Sequence, residues 1–67
     1  MVEFIGACGY AVAVNPQEIA MIERRIFLDK ETTMICLKNG KKVILNELYA
    51  EVVEAVQEAL HGHGQSD

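Results

Sequence analysis

Sixty-seven residues leave room for one domain, at the lower edge of what a single hydrophobic core can stabilise. Ten acidic against six basic side chains give a net charge of −4, which repels a phosphate backbone and argues against plain nucleic-acid binding. No apolar run approaches the roughly 18 residues that cross a bilayer, yet 51% hydrophobic content is more than so short a chain easily hides, so self-association is expected.

Phe4 to Val14 reads as two short strands around Cys8-Gly9, where the glycine permits the positive φ of a tight hairpin. Gly6, Ala7, Gly9, Ala11 and Ala13 make this hairpin small-sided, which suits close approach by something outside it. A second subunit is the expected object, met by Phe4, Ile5, Gly6, Ala7, Gly9, Ala11 and Val12. Asn15-Pro16 breaks pairing and starts a turn or short helical step. From Ile19 to Leu28 the apolar residues fit neither period cleanly, and a strand is favoured. Arg24 and Arg25 then point to opposite faces of it.

Asp29-Lys30-Glu31 reads as an exposed turn, and Thr32-Thr33 opens a strand running through Leu37. Lys38-Asn39-Gly40-Lys41 predicts a type I′ hairpin turn with both central residues left-handed, so that Cys36 faces Val43 and Ile35 faces Ile44. Asn46 should cap a helix whose stripe of Leu48, Tyr49, Val52, Val53, Val56 and Leu60 buries on the sheet. Glu47, Glu51, Glu54 and Glu58 would form its solvated face, and Gly62 its stop. The expected class is α+β: a small antiparallel β-sheet of two hairpins and a longer strand, with one C-terminal amphipathic helix packed on it. Residues 1–62 form the domain and 63–67 a flexible tail.

Val14-Asn15-Pro16, Ile19, Ile22-Glu23, Thr33, Ile35, Leu37, Asn39-Gly40-Lys41-Lys42 and Glu51-Val52-Val53-Glu54 together resemble the FlbD/SwrD family of small bacterial motility proteins. The resemblance covers roughly residues 4 to 60 and implies a fold of the kind just described, with no catalytic residue to carry over. Two departures mark a divergent member, encoded by a host, a phage or a mobile element. Arg24 to Glu31 looks like a short insertion, and Cys8 stands where the family pattern has asparagine.

Chemistry-bearing constellations are few. His61-Gly62-His63 offers two imidazoles where a metal site needs three or four ligands, so neither metal nor cofactor is expected. Ser66 is the only serine and no nucleophile-base pair is legible, which makes an enzyme improbable. Cys8 and Cys36 read as reduced, apolar thiols of a cytoplasmic protein, since no signal peptide precedes the first strand. Arg24-Arg25 with Lys41-Lys42 could gather as a small basic patch. The leading expectation is a homo-oligomeric regulatory or adaptor protein acting through protein contacts. The alternative is a module that sequesters a small anionic ligand, such as a nucleotide signal, between subunits lined by Tyr10, Arg24 and Arg25.

Overall fold

The computed structural model describes the backbone of residues 1–65 and the side chains of residues 1–61. Five strands and one helix follow in the order β1 (Val2–Ile5), β2 (Ala11–Val14), a 3-10 turn (Pro16–Glu18), β3 (Ile19–Phe27), β4 (Lys30–Leu37), β5 (Lys42–Leu45) and α1 (Tyr49–Gln65). The chain is thus α+β, with a two-stranded sheet β1-β2 and a three-stranded sheet β3-β4-β5, both antiparallel. No helix among the described residues is long and apolar enough to cross a membrane.

The two sheets meet at a seam between β1 and β5. Gly6 bridges to Leu45, the Ala7 N–H donates to the Ile44 carbonyl at 2.9 Å, and the Asn46 N–H donates to the Ile5 carbonyl at 2.8 Å. A Cβ on Gly6 would stand 3.1 Å from Val12 Cγ2 and 3.3 Å from the Tyr10 carbonyl oxygen. The missing side chain therefore serves the chain's own close packing. Across the seam, Phe4, Val14, Ile35, Leu45, Val52 and Val56 form one buried cluster between the sheets and α1. Full burial of a large aliphatic or aromatic side chain is worth roughly 1.5 to 3 kcal/mol, and Val2, Val12, Ile19, Ile22, Leu37 and Val43 pack partly buried against this cluster.

Local rules account for the first connections. Asn15 Oδ1 accepts the Gln17 N–H at 3.1 Å while Pro16 occupies the first helical position, so the 3-10 turn is capped from its own sequence. In β3 the pairs Ile19–Leu37 and Met21–Cys36 leave Ala20 unpaired as a bulge. That extra residue shifts the alternation by one, which is why the apolar residues of this strand match no single period.

Three expectations about turns and caps are corrected. The β3–β4 turn is centred on Leu28 and Asp29, at φ of 52° and 63°, and β4 already begins at Lys30. After β4, Gly40 alone takes a positive φ (94°) and the Gly40 N–H donates to the Leu37 carbonyl at 2.9 Å. Lys38-Asn39-Gly40 is thus a three-residue loop of the type I plus bulge kind, not a type I′ turn. The Asn39 side chain accepts the Lys41 N–H at 2.9 Å. The register moves by one accordingly: Cys36 faces Lys42 and Ile35 faces Val43.

The cap of α1 is the third correction. Asn46 is spent on the seam, and the Tyr49 N–H at the helix start is instead accepted by Glu31 Oε2 of β4 at 2.9 Å. Glu47 leaves the expected solvated row, because its carboxylate accepts the Ile5 N–H at 2.7 Å and its carbonyl the buried Thr33 hydroxyl at 2.8 Å. Val52 and Val56 bury as expected, whereas Leu48, Tyr49 and Leu60 stay exposed. The helix backbone continues to Gln65, past the glycine at 62 expected to stop it, and Ser66 and Asp67 of the expected tail lie outside the described residues.

Candidate interaction surface

β5 pairs with β4 only over Thr33 to Cys36. Beyond Thr33, therefore, Arg25–Phe27 and Lys30–Thr32 run on as a two-stranded ribbon closed by Leu28 and Asp29. A ribbon without a third strand buries little, and its end is strongly apolar: Ile26, Phe27 and Leu28 are 63%, 71% and 84% exposed. Ile26 shares a face with Glu31 and Phe27 shares the other with Lys30, while Leu28 sits on the turn. Water therefore meets apolar surface on every side of the tip.

The outer sheet face, away from α1, carries Arg25 and Lys30 of the ribbon, whereas Glu31 lies on the other face. Arg25 lies along this face, its Nη1 donating to Met34 Sδ at 3.6 Å and standing 3.8 Å from Glu23 Oε1. Next to it, an open hollow of about 480 Å³ is lined by Ala7, Arg25, Ile26, Phe27, Thr32 and Ile44. A second, of about 400 Å³, shares Ala7 and Ile44 and is bordered by Tyr10, Val12 and Lys42. Tyr10 and Arg25 thus flank adjoining hollows.

Arg24 is not among the residues of either hollow, since it pairs with the core-facing Thr33 and belongs to the other face of β3. Nor does the basic patch assemble. Lys42 pairs with Cys36, four residues along β4 from the Thr32 that pairs with Arg25, a separation of roughly 13 Å at about 3.3 Å per residue.

Among the residues expected to contact a second subunit, Phe4 is withdrawn because it is buried in the protein's own core. Gly6 is withdrawn because it is buried and Val12 and the Tyr10 carbonyl of the same chain occupy the space beside it. Ile5, Ala7, Gly9 and Ala11 remain exposed and Val12 half-buried. Cys36 is half-buried in β4, but Cys8 is exposed at the hairpin turn, and both are free thiols. Among the described residues no group of three His, Cys, Asp or Glu could hold a metal. The His63 side chain of the His61-Gly62-His63 trio lies outside them.

The family model for flagellar and swarming motility proteins, FlbD, matches residues 1–62, from β1 into α1 and through the whole ribbon. The chain belongs to the FlbD family. Neither the curated proteins nor the solved structures contain a significant match to it. Within this FlbD chain, Arg25 to Glu31, most of the segment expected from the sequence to be a short insertion, forms the ribbon end with its exposed apolar tip. The tip was not legible as a surface, because Ile26, Phe27 and Leu28 read in the sequence only as the end of a strand whose apolar residues fit no single period.

Proposed function

We propose that this FlbD-family chain is a non-enzymatic regulatory or adaptor protein of motility, acting in the cytoplasm as a homo-oligomer through protein contacts. The ribbon end carries the reading. Three large apolar side chains in a row are held out on a two-stranded projection, where water contact costs roughly 25 cal/mol per Å² that a partner surface would recover. In a host whose motility depends on the chain, Phe27→Ser combined with Leu28→Ser should abolish spreading on soft agar while circular dichroism stays native. Normal spreading by that variant would remove the reading.

The adjoining hollows beside Tyr10, Lys42 and Arg25 support a second reading, the binding of a small anionic molecule. Heat denaturation of the purified chain followed by mass spectrometry of the supernatant tests it. A released anion supports sequestration, and a clean supernatant from native-host material counts against it.

A further inference from the structure

We propose that β3 pairs antiparallel with β3 of a second copy of this chain about a two-fold axis through Arg24. This rests on the homo-oligomeric reading above and names its interface. β3 stands at the edge of its sheet, hydrogen-bonded to β4 on one side and to no strand among the described residues on the other. Its backbone N–H and C=O groups on that side form a template for another strand. The bulge at Ala20 lies at the start of the strand, and Met21 to Phe27 contains neither proline nor glycine; its charges are Glu23, Arg24 and Arg25, which a second copy in the right register can pair.

The sequence of this edge is self-complementary. Met21-Ile22-Glu23-Arg24-Arg25-Ile26-Phe27 reads apolar, apolar, charged, Arg, charged, apolar, apolar in either direction, and the two flanking charges are opposite. Antiparallel pairing centred on Arg24 sets Glu23 against Arg25 of the second copy, Ile22 against Ile26, and Met21 against Phe27, each contact occurring twice. Opposite-charge and apolar pairs directly opposite one another are the cross-strand contacts that stabilise an antiparallel pair. Met21 at 50% exposed, Ile26 and Phe27 are the side chains so covered.

Other registers lose this match. A shift by one residue sets the core face of one copy against the outer face of the other. Centring on Glu23 or on Arg25 places that charge opposite itself and its partner charge opposite Met21 or Phe27. Arg24 opposite Arg24 is the single like-charge pair, and both side chains are exposed, where water and salt screen them. The two-fold closes on itself, so the product is a dimer.

Light scattering coupled to size exclusion, on the full chain at micromolar concentration, reads the mass directly. The native chain should run at twice 7.4 kDa. Glu23→Arg and Arg25→Glu should each halve it by setting like charges opposite, and the double swap should restore it. Arg24→Thr should lower the dissociation constant at least threefold, while Ala11→Arg in β2 leaves the mass unchanged. Independently, Arg24→Cys in a Cys8→Ser background should form a disulfide dimer on non-reducing gels, which Glu18→Cys in the same background should not. A native monomer would overturn both the pairing and the oligomer reading. A native oligomer that neither responds to the charge swaps nor cross-links at residue 24 would overturn the β3 pairing alone.

Discussion

Gly6 and Leu28 show how single residues in this chain are held by opposite constraints. At Gly6 the space is taken, because a methyl group would press on Val12 and on the Tyr10 carbonyl, and backbone cannot swing aside as a side chain can. Gly6→Ala should cost about 1 to 2 kcal/mol in a urea titration; an unchanged midpoint would mean that the seam yields freely. At Leu28 the space is open but the backbone is left-handed, at φ 52°, which costs a branched side chain about 1 to 2 kcal/mol. Leu28→Asn should therefore raise stability by about 1 kcal/mol, measured by thermal unfolding, and a fall in the midpoint would contradict the turn geometry. Neither constraint was legible from its neighbours in sequence. A turn without glycine or asparagine carries no signature, and the crowding at Gly6 arises only once the folded hairpin sets Val12 and the Tyr10 carbonyl beside it and β5 bridges it at Leu45, 39 positions away. Glu31, Thr33 and Glu47 escaped notice for the same reason, since their hydrogen-bond partners lie 18, 14 and 42 residues off.

Every strand, the short helical step and the helix were legible as elements, because period, proline and glycine are local signals. Register was not. Asn39-Gly40 announces a hairpin but serves two turn types, and here Asn39 contributes its side-chain oxygen rather than a left-handed backbone. The consequence is measurable: Asn39→Ala should cost about 1 kcal/mol, the value of an exposed hydrogen bond, whereas Gly40→Val, which must adopt φ 94°, should cost about 1 to 3 kcal/mol. Equal losses, read from chemical denaturation, would favour the type I′ alternative. The helix was misread at both ends, since its start is capped by β4 from outside and its backbone runs on past residue 62. At the candidate surface, Arg24 and Arg25 were correctly assigned to opposite faces of β3, while the exposure of the apolar residues just after them was not legible from a pattern that fits no single period.

At the scale of the whole molecule, the 51% apolar content leaves more hydrophobic surface than the core consumes; exposed apolar side chains occur from Met1 to Leu60, and Ile26, Phe27 and Leu28 stand consecutively among the most exposed of them. The sheets, the seam and α1 share one cluster, while the ribbon extends beyond it. One polar contact ties the two regions: Glu31, on the ribbon, receives the first amide of α1. Ribbon and helix are thereby thermodynamically linked, because any molecule that steadies the ribbon also holds Glu31 over the helix start, and the coupling is reciprocal. Occupancy of the tip should slow hydrogen exchange at the Tyr49 amide, some distance from the contact itself, and Glu31→Gln should weaken that response. Exchange at Tyr49 that is indifferent to occupancy would separate the two. Fraying and resealing of one helical turn would then be governed by a carboxylate that the ribbon carries with it.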